Sequence, residues 1–406
     1  MIRTLMIWGA LFAGLSLDAQ QYRWTLCVYI AGDNDLAEYA PLNITQLSQA
    51  AGSDDVALCV YLCRREGTRK VARKMRVVHN DIIDYGEDSH IDSGSADTFG
   101  AACSWAFSTF PAQKAMVICW DHGSGILNRH IPHRGICYDD TTGNYLTDRD
   151  LAQVLKKLAD TRGAPIDILG FDACLMANVE LSAALAPYAR YIIGSEETIP
   201  GTGWDYTAVG TALASAHSDV HSVAHGIVSA YKALYERQIS DYTLSAVDSN
   251  AMYAVAEGIE KVGKLLTYAL SVQYLNSVRL ALNLRLLPPA VSYFEERDYA
   301  DLMMVSRAIR AAIPSMRFTL NTVQSTQLKK DLTAALTALE RAISQAVVVE
   351  VHGSAYKNVA GISIYLPRYD MHASYPLTLW HSLYPSWANF IANYRLSRSL
   401  MMHGIW

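Results

Sequence analysis

Charge is scarce in this chain of 406 residues: Asp, Glu, Lys and Arg together make up 18 %, against 51 % hydrophobic residues. That balance excludes an intrinsically disordered chain and a coiled coil, and it fits a compact protein of enzyme size. Charge of one sign is also lacking, since 34 Lys and Arg face 39 Asp and Glu for a formal net charge of −5. Without a basic run there is no electrostatic footprint for nucleic acid. No segment offers the roughly 18–20 uninterrupted apolar residues of a membrane helix. A Pro/Ser-rich linker, an internal repeat and a low-complexity tract are missing as well. The seven cysteines are odd in number, so at least one thiol stays free, and a core of this size needs no disulfide framework.

One short apolar stretch stands at the start. Arg3 is followed by residues 4–17 and then by Leu-Asp-Ala-Gln-Gln. A single cation, an apolar core too short to span a bilayer and an approximate small-x-small site read as a signal peptide over residues 1–20. The expected location is therefore secreted or periplasmic.

Near-continuous apolar runs at 24–30, 56–62, 115–120, 166–170 and 191–194 read as strands buried on both faces. Helical patterns separate them. One covers 95–110, with Phe99, Ala102, Cys103, Ala106 and Phe107 on one side and Pro111 as its stop. Another begins at the cap Thr147, turns Leu151, Val154, Leu155 and Leu158 inward, and ends at Gly163. Strands alternating with helices imply an α/β fold with a mainly parallel central sheet flanked by helices. Beyond about residue 240 the pattern is mostly helical, with strands at 242–247 and 359–366. The expected division is a main domain over 21–240 and an α-rich C-terminal region with added strands over 241–406.

Two strand ends carry the chemistry. The 115–120 strand runs into Asp121-His122-Gly123-Ser124-Gly125, and the 166–170 strand runs into Phe171-Asp172-Ala173-Cys174. If these strands are parallel neighbours, His122 and Cys174 emerge at one sheet edge, the edge at which open parallel sheets bind ligands. A helical pattern begins at Leu175, and a helix N-terminus there would favour the thiolate. The amides of Gly123 and Cys174 are placed to hold an oxyanion. Cys27, Cys59, Cys103 and Cys119 read as small core residues. Cys59 and Cys63 share a strand face but have no second ligand pair to make a zinc site. His217, His221 and His225, at spacing four, read as a surface stripe.

Strand-His122-Gly123 followed by strand-Asp172-Ala173-Cys174 resembles the caspase-like clan of cysteine peptidases. Trp120-Asp-His-Gly-Ser-Gly125 with Gly170-Phe-Asp-Ala-Cys-Leu-Met-Ala177 is similar to the clostripain family within it. Tyr29-Ile-Ala-Gly-Asp-Asn-Asp-Leu36 and Ser195-Glu-Glu-Thr-Ile-Pro-Gly-Thr-Gly-Trp-Asp-Tyr206 extend the likeness over about residues 24–250. The resemblance implies a caspase-like fold, Cys174 as nucleophile and His122 as the group that protonates the leaving amine. It implies cleavage after Arg or Lys, which calls for carboxylates in the pocket; Asp172 and Asp205 are the candidates, with Trp204 either packing the substrate stem or anchoring its loop. It implies activation by self-cleavage between the two motifs, at Arg134 in preference to Arg129, while Arg149 falls in a helix. Substrates would then be proteins or peptides with Arg or Lys before the scissile bond. No cofactor is required. The acidic loops 139–144 and 33–35 leave calcium as an alternative, although turn and cap chemistry accounts for both and neither has the EF-hand pattern. A non-catalytic peptide- or surface-binding protein that keeps the fold is the rival expectation.

Overall fold

A computed structural model describes residues 21–50, 52–126, 135–368 and 370–402, with side chains as far as Tyr394. The signal-peptide segment 1–20 and the processing candidates Arg129 and Arg134 lie outside the described residues.

The strands in chain order are β1 (Tyr22–Gly32), β2 (Val56–Glu66), β3 (Arg69–Val78), β4 (Asp81–Ser89), β5 (Ala112–Trp120), β6 (Ile136–Asp139), β7 (Asn144–Leu146), β8 (Ile166–Asp172), β9 (Ala189–Gly194), β10 (Thr243–Asp248), β11 (Tyr299–Asp301), β12 (Val347–His352) and β13 (Ser363–Tyr365). Nine of them form one sheet in the order β12-β10-β9-β8-β5-β1-β2-β3-β4. The five central strands, β2, β1, β5, β8 and β9, are all parallel. Antiparallel pairs close both sides, β3 and β4 beyond β2, and β10 and β12 beyond β9.

Burial on both faces explains the apolar runs. In β1, Trp24, Leu26, Val28 and Ile30 enter the core on one side of the sheet, and Cys27, Tyr29 and Ala31 enter the core on the other. Because side chains alternate along a strand, one run of sequence serves two cores. The first core is covered by the helices Ala40–Ser48, Tyr206–Ala214 and Val220–Tyr235. The second is covered by Ala96–Thr109, Asp148–Arg162 and Ser249–Ser271, with Thr322–Ala346 and Ser386–Met402 stacked outside the last of these.

Local chemistry sets the helix ends. Ser95 caps Ala96–Thr109 by accepting from the Asp97 amide. Thr147 and Asp150 form a capping box on Asp148–Arg162, and Gly163 ends that helix at φ 71°, a conformation that glycine adopts without a steric penalty. The expected division near residue 240 does not coincide with a break in the sheet, because β10 and β12 are hydrogen-bonded members of it. All seven cysteines are unpaired, six buried and Cys174 half-buried. Among the described residues no helix is long and apolar enough to cross a membrane.

Candidate active site

The parallel register of β5 and β8 sets Trp120 opposite Asp172, and the Asp121 amide donates to Asp172 O at 3.3 Å. His122 and Cys174 are each two residues beyond that pair, so both leave the sheet at the C-terminal ends of adjacent strands. Between them the backbones nearly touch: a Cβ on Gly123 would stand 2.4 Å from Cys174 O and 3.0 Å from Ala173 Cβ. Only glycine fits there. Gly123 also bridges to Ile136, and it is the neighbouring Ser124 amide that donates across this bridge, to Gly135 O at 3.1 Å.

The helix expected to begin at Leu175 does not. Leu175 stands at φ 65°, the amides of Leu175 and Ala177 donate to Glu197 O and Ser195 O, and the helix starts only at Val179, capped by Asn178. The carbonyls that a helix from Leu175 would have used are taken instead, that of Leu175 by the Asn178 side-chain amide and that of Ala177 by the Ser363 amide. Cys174 is therefore not at a helix N-terminus, and the expected thiolate-favouring dipole is missing. Burial instead pushes the thiol above its ordinary range; the Ile199 amide opposes this, and the charges of Glu197 and Asp172 add to it. Ile199 N donates to Sγ at 3.3 Å, so the thiol rests against the 198–200 loop.

His122 is turned toward the end of β1, with Nε2 2.6 Å from Asp35 Oδ1. The hydrogen bond from His122 is the main reason that Asp35 ionises below the usual carboxylate range. Next to it, Asn34 donates to Asp121 Oδ1 at 2.6 Å and caps the Leu36 amide through Oδ1.

Asp172 is 4 % exposed. Its Oδ2 accepts from the Trp204 amide at 3.1 Å and the Tyr206 hydroxyl at 3.0 Å, while Oδ1 has no hydrogen-bond partner. Burial raises the carboxyl to about 7 against those two donors. Gly203 lies over Oδ2, at a distance that leaves no room for a side chain. Asp205 caps the helix Tyr206–Ala214 through Oδ1, bonded to the Ala208 amide at 3.0 Å. Trp204 is 1 % exposed, and its ring lies against Gly170, so in this conformation it anchors the loop.

Glu197, which the sequence reading did not single out, joins the loop beside Cys174 to the C-terminal region. Its carboxylate accepts from the Thr198 amide, the Glu295 amide and the Tyr356 hydroxyl. The acidic loops are engaged internally: Lys70 pairs with both Asp33 and Asp139, and Asp139 also accepts from the Ser93 and Thr142 amides.

Comparison with known proteins adds three findings. The model of the clostripain family, peptidase C11, matches residues 28–368. Clostripain of Hathewaya histolytica is 28 % identical over 111 residues, 25 % of this chain, and the match spans only 21 % of that protein. Among solved structures, a secreted C11 cysteine protease from Bacteroides thetaiotaomicron with an irreversible peptide inhibitor is similar at a TM-score of 0.63 and 22 % identity, over 91 % of this chain and 99 % of that one. An inactive zymogen C11 protease from Parabacteroides distasonis is similar at 0.61 and 20 %, over 90 % and 98 %. At these identities the two structures speak for a shared fold.

Proposed function

The chain belongs to the clostripain family, and from that premise we propose that it is a cysteine endopeptidase hydrolysing peptide bonds after Arg or Lys. The observation that carries the proposal is the Trp120–Asp172 register. It sets His122, Gly123 and Cys174 at one edge, with a buried and half-satisfied carboxylate two residues before the thiol. In the reaction the Cys174 sulfur attacks the scissile carbonyl carbon, and the amides of Gly123 and Cys174 receive the oxyanion. His122 protonates the leaving amine, and water then hydrolyses the thioester. The free Oδ1 of Asp172 supports a cationic side chain as its partner, with Asp205, whose Oδ1 caps the following helix, as the second carboxylate of the pocket. Entry to the secretory route through residues 1–20, and self-cleavage after Arg134, complete the proposal.

The rival reading is a peptide-binding protein on the same fold. In its favour, the two central groups engage other partners at rest, His122 with Asp35 and Cys174 with Ile199. Paired fluorogenic peptides with Arg, Lys, Asn or Asp before the cleavable bond decide between the two. Turnover of the Arg or Lys peptides by wild type and not by Cys174→Ala, with Cys174→Ala remaining one uncut chain, is the expected result. A folded wild type that is labelled at Cys174 and turns over no peptide would establish the rival.

A further inference from the structure

We infer that Asp35 is the positioning residue of His122, holding the imidazole by Nε2 so that Nδ1 is the nitrogen that hands a proton to the leaving amine. The inference rests on the peptidase reading above and adds to it a residue from a third strand. In the order β8-β5-β1-β2 the chain runs from β1 outward to β2 and returns on the other side of β1 to β5. The crevice beyond the ends of β1 and β5 is thus the sheet's topological switch point, where ligands of open α/β sheets sit. Asp35 comes to it from β1 and His122 from β5.

The contact is held from two sides. Two consecutive residues, Asn34 and Asp35, engage two consecutive residues, Asp121 and His122, each at 2.6 Å. Asn34 is fixed in turn by donating to Ala31 O at 2.9 Å and by accepting from the Leu36 amide at 3.0 Å. Asp121 is buried and also accepts from the Tyr138 amide. The imidazole therefore meets a carboxylate whose backbone is anchored to the residue preceding the histidine.

A pair this open adds little to stability: the side chains are 82 % exposed for Asp35 and 40 % for His122. Its effect belongs to the reaction, when peptide covers the site and excludes water. A carboxylate at Nε2 can only accept, so Nε2 carries the hydrogen and Nδ1 is left for proton exchange. As the sulfur bonds to the acyl carbon its proton passes to Nδ1, making the imidazolium; as the C–N bond breaks that proton passes on to the amine nitrogen, and the sulfur remains bound to the acyl carbon as the thioester.

The test compares wild type with Asp35→Ala and Asp35→Glu on the Arg peptide, alongside ring 15N spectra of histidine-labelled protein in which His122 is assigned through His122→Gln. For Asp35→Ala we expect kcat to fall at least ~10-fold with KM within about twofold, an unchanged Tm, and partial recovery of kcat in Asp35→Glu. In the spectra, wild-type His122 should show Nε2 as the protonated nitrogen when neutral, and Asp35→Ala should move both ring signals toward the average of two tautomers. An Asp35→Ala protein with wild-type kcat and unmoved ring signals would overturn the inference. So would a rise in KM equal to the fall in kcat, which would make Asp35 part of the binding surface. If wild type cleaves no peptide, the peptidase reading fails, and the ring signals alone decide the pairing: movement supports it and constancy overturns it.

Discussion

Asp172 combines two demands that oppose each other. Its carboxyl is raised to about 7 by burial, so in the free protein it is half protonated near neutral pH. A cationic side chain pairs with the ionised form alone. KM for an Arg peptide should therefore climb as pH falls below about 7, approaching roughly tenfold per pH unit well below it, while Asp172→Asn should show a high KM independent of pH. The sign for stability is the reverse. A carboxyl whose folded value lies above the unfolded value of about 3.9 contributes stability that is complete below 3.9 and lost as pH rises through about 7. Asp172→Asn should accordingly lose less Tm than wild type between about pH 5 and pH 8, even as it loses basic substrates. A variant with wild-type KM and a wild-type Tm profile would remove Asp172 from the pocket.

Among the elements, a sharp constraint lies where the His122 and Cys174 segments cross. Gly123→Ala sets a methyl group 2.4 Å from Cys174 O, a distance that the backbone must yield to restore. We expect a loss of about 1–3 kcal/mol in denaturant unfolding, together with loss of peptide turnover. Gly100→Ala makes the same chemical change in the helix Ala96–Thr109, where the new methyl would meet Val154 at 3.8 Å, an ordinary contact. There the expected effect is a gain of about 0.5–1 kcal/mol with turnover unchanged. Equal effects at the two glycines would mean that the crossing is softer than described.

The five parallel strands were legible because each carries an uninterrupted apolar run, and Thr147 and Gly163 marked a helix because capping chemistry is local. The β3–β4 hairpin was not, since β3 places Arg and Lys through its length and β4 is exposed along almost all of it. Strand β12 was hidden by continuing directly from the 25-residue helix Thr322–Ala346. The segment after Cys174 misled because its residues suit a helix, while its carbonyls are taken by the Asn178 side chain and by the distant Ser363 amide. His122 and Cys174 could be read from strand ends. Asp35 lies just beyond the end of β1, but its acidic loop had a sufficient explanation in turn chemistry. Glu197 acts through residues near 295 and 356, a juxtaposition that only the folded chain contains.

At the scale of the molecule, the C-terminal region is part of the architecture that carries His122 and Cys174. Removing everything after residue 240 would strip β10 and β12 from the sheet, expose the edge of β9, and uncover the core beneath the helix Ser249–Ser271. Such a fragment should be insoluble or lack a cooperative unfolding transition. A soluble fragment with a sharp transition would show that residues 21–240 fold alone.

The Glu197–Tyr356 contact joins residues 159 positions apart. At biosynthetic rates of roughly 5–20 residues per second, the chain spends on the order of 10–30 s with Cys174 and Glu197 already made and Tyr356, which ties the loop beside Cys174 to the C-terminal region, still to come. The tie between that loop and the C-terminal region is therefore made late in the life of the growing chain.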